Sequence, residues 1–454
     1  MTGTSGTPFP LDLWSEAVYS RRSIPDTLAT GEYAPDPPGA DHADLLPPAA
    51  HRFPLVPPPL RLEPPDRLEP PDRARTGQDS GGVGLSDPSV LSALLHYSFG
   101  LLQHDLTPGG WPLHRAVASA RCLYPSELYL LSPDPAGRQR PAAVHRFDPV
   151  HHQLALVRAP VDGRDADPST DGGPSRFLVI TSRFARTARL YGDYAPRLCA
   201  QEAGMLLGAV HLAAAALGLR TRPGLDRGTL LELCDGWLSP GTGQPMAYLE
   251  VGPAAGPGAR PAWVPEDPAG ALRARHSGAA LFDPEPVPAP KAMLDELGTV
   301  LAHAPFADFA CHLYLSRVSG VAPGRYLLTG DGLRLVEPGD VVPALEQIGR
   351  TEGRVSMNFR TVAFTAYLAV RRGAAVARYG EDAFRRLHLV AGAAAHLLSV
   401  VAARHGQSAR VHNGYDAGTA GRLLGLDGTD ETVLFQIAVG RAKPAPGFRL
   451  PVVF

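Results

Sequence analysis

The sequence predicts an α+β protein built from two tandem halves, and three observations support this prediction. Each half contains a long helix of mostly small apolar residues, at 200–219 and at 389–405. Short apolar segments typical of strands precede and follow each helix in the same order. A Tyr-Gly-acid motif lies before each helix, starting at Tyr191 and at Tyr379. Two copies of one α+β unit, paired as a pseudo-dimer within one chain, explain this repetition most simply.

Each element of the first half follows from a local pattern. Apolar residues recur at helical spacing within 85–102, after a helix cap at Ser86 or Asp87. The helix at 200–219 is apolar on nearly all sides, as helices in a protein core are. Strands are expected before and after this helix, at 127–131, 145–147, 177–181 and 246–251.

The second half repeats this order with little sequence identity. Segments 312–315 and 325–328 correspond to the first two strands of the first half. The helix at 389–405 corresponds to the one at 200–219, and the final strand is expected at 432–441. The same sequence of strand, strand, core helix and strand therefore occurs twice.

These patterns divide the chain into four parts. Residues 1–84 form a lead-in and a proline-rich connector, in which Leu-Glu-Pro-Pro-Asp-Arg occurs twice in tandem over 62–73. The first half spans 85–253, a Gly/Pro/Ala linker spans 254–269, and the second half spans 270–454.

Composition excludes several classes of function. The chain has 454 residues, 44% of them hydrophobic, and a formal net charge of -2 from 43 basic and 45 acidic residues. No broad cationic face is expected, so nucleic acid is not a predicted partner. The N-terminus lacks the pattern of a secretory signal, and no apolar run approaches a membrane span of roughly 20 residues. The four cysteines lack metal-ligand spacing. We therefore expect a cytoplasmic protein without a metal site or a membrane anchor.

One motif carries a family resemblance. Residues 115–129 read Arg-Ala-Val-Ala-Ser-Ala-Arg-Cys-Leu-Tyr-Pro-Ser-Glu-Leu-Tyr. This stretch resembles the pattern Arg-x-x-Pro-Ser-Ala-Gly-x-Leu-Tyr-Pro-x-Glu-Leu-Tyr of the SagB-type flavin dehydrogenases, which act in the biosynthesis of thiazole- and oxazole-modified peptides. The paired Tyr-Gly motifs and the Ala-Gly pairs at 203–204 and 391–392 add to the resemblance. It spans roughly 85–454, with a weaker similarity at 19–23.

The resemblance implies a nitroreductase-like fold with FMN at the interface between the two halves. Phosphate ligands would come from one half and ring contacts from the other. In the second half, the phosphate would be bound by its opening Arg-x-Arg-x-Ser stretch and by its terminal cations, which are Arg273, Arg275, Ser277, Arg441 and Lys443. Charge-assisted hydrogen bonds of this kind are about twice as strong as neutral ones.

The resemblance also assigns the contacts to the flavin ring. The first half would supply them from the motif that begins at Arg115, through Ser119, Ala120 and Arg121. The second half would approach the N5/O4 edge through Asn413, Gly414 and Tyr415. The mirror-image site lacks an Arg-x-Ser opening, ends at 251–253 without a cation, and has Ala-Pro-Phe-Ala-Asp at 304–308 in place of the Pro-Ser-Ala-Gly turn. One FMN per chain is therefore expected.

Candidates for proton transfer come from the Tyr-Gly motifs. A Lys-Tyr pair at this motif is linked to catalysis in the family, but here the lysine position is Leu190 in one half and Arg378 in the other. A tyrosine with a pKa near 10 is a poor base at neutral pH unless a cation assists it. We therefore predict Tyr379 with Arg378 as the stronger pair and Tyr191 as the weaker candidate. Three histidines on apolar helices are interpreted as packing residues: His211, His388 and His396.

The expected function is FMN-dependent oxidation of azoline rings in a peptide to thiazoles or oxazoles. The implied partners are a leader-bearing precursor peptide and the cyclodehydratase that makes the azoline. The chain is expected as a monomeric pseudo-dimer or as a homodimer. Two alternatives stay open at this stage, a nitro- or enone-reductase that uses NAD(P)H and a non-catalytic scaffold of a biosynthetic complex.

Overall fold

The computed structural model describes most of the chain from residue 51 onward. The described ranges are 51–62, 84–106, 113–133, 141–160, 175–238, 243–253, 263–277, 282–302, 304, 309–351, 354–355, 357–443 and 449–452. The motif at 19–23, nearly all of the tandem copy over 62–73, most of the linker and 305–308 lie outside these ranges.

The elements of the first half begin at residue 52 and end at residue 252. In chain order they are β1 (Arg52–Pro54), α1 (Pro88–Phe99), β2 (Leu101–Asp105), β3 (Leu113–Arg115), β4 (Ser126–Ser132), β5 (Ala143–Asp148), β6 (Gln153–Arg158), β7 (Arg176–Ser182), α2 (Phe184–Tyr191), α3 (Ala195–Ala216), β8 (Arg220–Gly224), α4 (Arg227–Cys234) and β9 (Gln244–Gly252). Short 3₁₀ turns occur at Ala120–Cys122 and Gly192–Tyr194.

The elements of the second half follow from residue 268. They are α5 (Pro268–Ala274), α6 (Lys291–Ala302), β10 (Ala310–Leu315), β11 (Gly324–Thr329), β12 (Gly332–Pro338), α7 (Val342–Ile348), β13 (Arg350–Thr351), β14 (Arg354–Val355), β15 (Phe364–Arg371), α8 (Arg372–Tyr379), α9 (Ala383–Arg404), β16 (Ser408–His412), α10 (Ala417–Leu424), β17 (Glu431–Gly440) and β18 (Arg449–Pro451). Here the 3₁₀ turns lie at Phe359–Thr361 and Gly380–Asp382.

The two large sheets have the same strand order. The first sheet runs β1-β6-β5-β4-β7-β9-β8, and the second runs β12-β11-β10-β15-β17-β16. Apart from β1, each strand of the first sheet has a counterpart at the same place in the second, and neighbouring strands are antiparallel in both. The predicted α+β class with two tandem halves is therefore confirmed.

Local sequence patterns located most of the elements correctly. The side chain of Asp87 accepts hydrogen bonds from the backbone N–H groups of Ser89 and Val90, as expected for the cap of α1. The predicted strands at 127–131, 177–181 and 432–441 are found as β4, β7 and β17. Strand β15 was not predicted. Nearly all of its residues are buried, as are those of β4 and β7.

The two long helices pack directly against each other at glycines. A Cβ atom added to Gly204 on α3 would collide with the carbonyl oxygen of Leu389 on α9. By the same relation across the two halves, a Cβ on Gly392 would collide with the carbonyl oxygen of Gln201. The small residues of the predicted core helices therefore allow close backbone approach at the centre of the molecule.

Burial distinguishes these helices from membrane spans. The stretches Phe184–Ala216 and Arg372–Arg404 are each long and apolar enough to cross a membrane by length and composition. Their most apolar windows, however, are 89% and 94% buried inside the protein. Such burial is typical of core helices, whose apolar surface is covered by other parts of the same chain.

A third, small sheet joins the last described strand to the first half. Its order is β18-β2-β3, so the last strand of the second half pairs with the first half. This pairing and the contact between α3 and α9 both join the two halves. The candidate site lies where residues of the two halves meet.

Candidate functional site

A cavity of about 270 Å³ lies between the two halves. Its first-half wall comes from β2 and from the stretch after β3, and its second-half wall comes from the end of α5 and from β16. The cavity is lined by Leu102, Gln103, His114, Arg115, Val117, Ala118, Ser119, Arg121, Cys122, Tyr124, Leu272, Arg273, Arg275, His276, Ser277 and Arg410. The structure thus brings six of the predicted cofactor residues to one place: Arg115, Ser119, Arg121, Arg273, Arg275 and Ser277.

The lining is strongly cationic. Five arginines face the cavity, and no carboxylate occurs among the described residues that line it. Burial lowers the pKa of Arg115 to about 10, which still leaves this side chain charged at neutral pH. The cavity therefore suits an anionic ligand such as a phosphate monoester.

Arg275 connects the two halves at the cavity wall. Its Nε donates to the carbonyl oxygen of Ala116 at 2.7 Å, and its Nη2 donates to that of Arg115 at 3.3 Å. The residue is only 7% exposed, and its Nη1 is buried without a hydrogen-bond partner in the described structure. Because an unpaired buried guanidinium nitrogen is costly, Nη1 is a ready donor to a ligand.

Arg273 lies two residues before Arg275, and it faces both the cavity and α1. Its Nη1 donates to the carbonyl oxygen of Leu60 at 2.8 Å. Its Nη2 donates to the hydroxyl of Tyr97, whose ring centroid lies 5.1 Å from the guanidinium carbon. The lead-in segment before α1 therefore helps to position this arginine.

The first-half wall is a strained turn. The hydroxyl of Ser119 accepts a hydrogen bond from the backbone N–H of Tyr124 at 2.8 Å. Within this turn Arg121, Cys122 and Tyr124 have φ angles of 50°, 53° and 47°. Non-glycine residues in this left-handed region cost on the order of 1 kcal/mol each. Such strain is often found at binding sites, where surrounding contacts hold the backbone in place.

A buried carboxyl group lies beneath this turn. Glu202 on α3 is 2% exposed, and burial raises the pKa of its side chain to about 8, despite a hydrogen bond from Ser119 and the nearby cations Arg115 and Arg186. Its Oε1 has no hydrogen-bond partner in the described structure. Glu202 was not predicted as a site residue, although the single carboxylate of a mostly apolar helix was a visible signal.

Tyr191 lies next to the cavity wall. The nearby cation is Arg121, which faces the cavity. Burial raises the pKa of Tyr191, and the Arg121 cation opposes this increase. Leu190 is buried in the core of the first half, so the cation near this tyrosine comes from a different segment of the chain.

Tyr379 and Arg378 lie elsewhere. They line a second cavity of about 430 Å³ in the second half, together with residues of β10, β15 and α8, and this cavity shares no described lining residue with the first. The guanidinium carbons of Arg378 and Arg386 lie 5.0 and 4.5 Å from the Tyr379 ring centroid. Both cations therefore contact the ring of Tyr379, in an environment separate from the arginine-lined cavity.

The segment Asn413 to Tyr415 does not line the arginine-rich cavity. The Asn413 side chain donates to the Oε1 of Gln201 at 2.7 Å and accepts from the Nη2 of Arg197 at 3.2 Å. The same Arg197 nitrogen donates to the hydroxyl of Tyr415 at 3.1 Å, and Tyr415 is 1% exposed. Together with the intervening Gly414, these side chains form a polar contact between the halves.

The terminal cations and Ala120 are also absent from the described lining. Arg441 pairs with Asp283, with 2.8 Å between Nη2 and Oδ2, and also donates to the carbonyl oxygen of Glu285. Lys443 is exposed. Their role in binding phosphate stays a prediction.

Several lining residues were not predicted from the sequence. Arg410 on β16, Gln103 and His114 reach the cavity from positions outside the quoted motifs, and His276 lies between Arg275 and Ser277 within one of them. Arg410 lies in a strand whose first two residues are buried and whose last three are half-buried, and an arginine at a half-buried position is usually a solvated residue. The sequence offered no local signal for its role.

The histidines on the core helices are packing residues, as expected. Burial lowers the pKa of both His388 and His396 to about 3, so both are neutral. The Nδ1 of His388 lies 2.8 Å from the carbonyl oxygen of Phe384, and that of His211 lies 2.6 Å from the Thr221 hydroxyl.

Comparison with known proteins identifies the fold. No protein-family model matches the sequence, and none of the curated proteins compared with it is significantly similar. A protein from Anabaena variabilis, provisionally named a nitroreductase, superposes with a TM-score of 0.66 at 19% identity, over 94% of this chain and 99% of that chain. This match shows that the chain has a nitroreductase-like fold.

Two shorter chains give weaker superpositions. A provisionally named nitroreductase from Ralstonia eutropha is 21% identical over 46% of this chain and 100% of its own, with a TM-score of 0.28. A chain of the E. coli microcin synthetase McbBCD complex, solved with truncated pro-MccB17 bound, is 17% identical over 55% of this chain and 100% of its own, with a TM-score of 0.29.

Proposed function

We propose that this chain is an FMN-dependent oxidoreductase that oxidises azoline rings of a precursor peptide to thiazoles or oxazoles. The observation that carries the proposal is the arginine-lined cavity between the halves. It joins the two segments, 115–124 and 272–277, to which the family resemblance assigns the two ends of one flavin. The nitroreductase-like fold supports the same class of cofactor.

The donors around this cavity fit a phosphate-bearing cofactor. Arg273, Ser277 and Arg410 would hold the phosphate, and the unpartnered Nη1 of Arg275 gives a further donor. The buried Nε of Arg115 also lacks a hydrogen-bond partner in the described structure. Arg441 and Lys443 would have to act from outside the described lining.

The turn from Ser119 to Arg121 would lie beside the flavin ring. The hydroxyl of Ser119 already accepts a hydrogen bond from Tyr124 and forms another with Glu202. Backbone groups of this turn and the Arg121 guanidinium therefore remain as the main polar contacts. A cation there would stabilise negative charge that develops on the ring during reduction.

Aromatisation of an azoline removes one proton and one hydride from the ring. FMN, when bound, supplies the hydride acceptor. The chain must position the peptide, exclude water and accept the proton, and the tyrosines of the two Tyr-Gly motifs are the candidate acceptors. A precursor peptide is the proposed substrate, and a cyclodehydratase is the proposed partner that makes it. We expect the reaction to take place in the cytoplasm.

A reconstitution assay tests this function. The full-length protein is loaded with FMN and incubated in air with a synthetic peptide that contains a thiazoline. We expect the peptide to lose the mass of two hydrogen atoms, and we expect no loss when FMN is omitted. Reduction of a nitroarene or enone with NAD(P)H, without thiazoline oxidation, would instead establish the reductase alternative. If the protein binds no flavin, the alternative of a non-catalytic scaffold is supported instead.

A further inference from the structure

The second cavity, beside α8, is separate from the proposed flavin site. Its volume of about 430 Å³ lies within the range of roughly 300–1,000 Å³ that is usual for small-molecule sites. The apolar side chains that line it are Phe309, Ala310, Ala369, Ala375 and Leu387. The last three of these are buried. The cavity therefore offers an apolar floor to a ligand of this size.

A difference between the two halves opens this cavity. Helices α2 and α8 end at the equivalent tyrosines of the two Tyr-Gly motifs, so Ala374 on α8 corresponds to Arg186 on α2. The Nη1 of Arg186 donates to the carbonyl oxygens of Leu123 at 3.4 Å and Tyr124 at 2.9 Å, in the segment before β4. Alanine has no side chain beyond Cβ, so residue 374 does not reach into the equivalent space. The alanine at this place therefore leaves room for a ligand.

The charged residues at this cavity favour an anion. Its described lining contains two arginines, Arg371 and Arg378, and one carboxylate, Glu431. Glu431 lies opposite Arg371 across β15 and β17, and its Oε2 is 3.3 Å from the Nε2 of His312. The side chain of Arg378, by contrast, forms no salt bridge or hydrogen bond with another described residue, and its guanidinium carbon lies 5.0 Å from the Tyr379 ring centroid. One guanidinium group is therefore available to pair with an anion.

We propose that this cavity is a second ligand site, which binds a small organic carboxylate. The apolar body of the ligand packs against Ala369, Ala375 and Leu387, and its carboxylate pairs with the guanidinium group of Arg378. Arginine suits this role because its planar group can donate two parallel hydrogen bonds to a carboxylate. The inference does not depend on the proposed function, because the two cavities share no described lining residue.

Two probes that differ in charge test the preference for a carboxylate. Naphthoate and its neutral amide, naphthamide, have the same apolar body, and each is titrated into the full-length protein by calorimetry. Naphthoate should bind about 5- to 10-fold more tightly than naphthamide, since an ion pair with a partly exposed arginine is of modest strength. Equal affinity for the two probes, or no binding of naphthoate at millimolar concentration, would overturn the proposal.

Variants that fill the cavity locate the bound probe. Ala374→Arg introduces the residue found at the equivalent place in α2, and it should abolish naphthoate binding even though it adds a cation. Ala377→Arg adds the same charge to α8 at an exposed residue outside the described lining, so it should leave the affinity unchanged. Ala375→Leu fills the cavity without a charge and should also abolish binding. Retained binding in both Ala374→Arg and Ala375→Leu would overturn the proposal.

Charge variants separate this cavity from the arginine-lined one. Arg378→Gln should weaken naphthoate binding about 5-fold. Arg360→Gln removes the same charge from a residue that pairs with Glu346, and it should have no effect. Arg410→Gln alters the other cavity and should likewise have no effect, with or without saturating FMN. A larger loss in Arg410→Gln than in Arg378→Gln, or displacement of naphthoate by FMN, would place the probe in the arginine-lined cavity and overturn the proposal.

Discussion

At the scale of single residues, the sequence located the part of the site that lies in contiguous motifs. Ser119 and Arg121 follow Arg115 within one stretch, and Arg273 and Arg275 lie at the end of one helix. Arg410 was missed because it meets these residues only after the chain has folded across both halves. Spacing within a segment is visible in a sequence, whereas contact between distant segments is not.

The position of Arg410 leads to a prediction about ligand binding. Arg410→Gln removes a cation that lines the cavity, whereas Arg441→Gln removes one that pairs with Asp283 outside it. Loss of one charge-assisted hydrogen bond costs about 1.5–3 kcal/mol, so FMN should bind roughly 10- to 100-fold more weakly to Arg410→Gln. Fluorescence titration of FMN measures both variants. A larger loss in Arg441→Gln would place the phosphate at the terminal cations instead.

The two Tyr-Gly motifs give opposite expectations from sequence and from geometry. The sequence favoured Tyr379 because Arg378 is its neighbour, but the arginine-lined cavity is bordered by Arg121, the cation that acts on Tyr191. We now expect Tyr191→Phe to lower thiazoline oxidation by about 10²–10⁴-fold, the usual contribution of a general base, and Tyr379→Phe to lower it much less. Flavin content, measured in parallel, should stay normal in both. The reverse order would restore the prediction made from the sequence.

Glu202 should make the stability of the protein depend on pH. Its pKa is raised from an ordinary value of 4.5 to about 8 in the folded state, so the folded protein binds more protons than the unfolded chain between these values. The free energy of unfolding therefore falls as the pH rises through this window. Each pKa unit corresponds to about 1.4 kcal/mol, so several kcal/mol are involved.

The variant Glu202→Gln removes this titration and keeps the shape of the side chain. Urea unfolding at about pH 5 and about pH 8 should show a smaller difference in stability for the variant than for the unmodified protein. Glu127→Gln is a suitable comparison, because this other buried carboxylate pairs with Arg146. An identical pH dependence in Glu202→Gln and the unmodified protein would mean that Glu202 is ionised throughout.

At the scale of elements, long apolar helices and strands of consecutive apolar residues were the most predictable features. Helices α3 and α9 were visible because small apolar residues continue over several turns. Strand β15 was not predicted, although it is buried along most of its length like the predicted strands β4 and β7. The pairing of β18 with β2 was also unpredictable, since no local pattern indicates which distant edge a short strand will join.

The contact between α3 and α9 predicts which glycines cannot be replaced. Gly204→Ala and Gly392→Ala each place a methyl group against a backbone carbonyl of the other helix, which cannot move as a flexible side chain would. Overpacking of this kind typically lowers the free energy of unfolding by about 1–3 kcal/mol. Because the contacted atoms belong to rigid backbone, we expect a loss at the upper end of this range or beyond it. Thermal unfolding of the two variants measures the loss.

A glycine in an open helix position serves as the control for these variants. Gly421 on α10 has no atom within 4 Å of an added Cβ. Gly421→Ala should therefore raise stability by up to about 1 kcal/mol, because alanine is the better helix former. Equal effects at Gly204 and Gly421 would show that the long helices do not touch at their glycines.

At the scale of the whole molecule, equivalent arginines form hydrogen bonds between the two halves. Arg197, the third residue of α3, donates to the carbonyl oxygen of Leu434 on β17. Arg385, the third residue of α9, donates to the carbonyl oxygen of Met246 on β9. The pseudo-symmetry predicted from repeated motifs therefore extends to individual hydrogen bonds between the halves.

The same comparison shows why only one site of the arginine-lined kind is expected. Asn413 and Leu225 occupy equivalent positions after β16 and β8, but only Asn413 has a polar side chain that bonds to the opposite core helix. Glu202 on α3 likewise corresponds to Val390 on α9. The backbone is symmetric, whereas the residues that carry charge are not.

The proposal that one cavity between the halves holds one FMN is tested most directly by stoichiometry. The purified full-length protein is saturated with FMN, freed of excess ligand by gel filtration, denatured, and assayed for released flavin against protein concentration. We predict a ratio of one FMN per chain, and a strongly reduced ratio for Arg410→Gln under the same treatment. A ratio of two, or no retained flavin in the unmodified protein, would contradict the proposal.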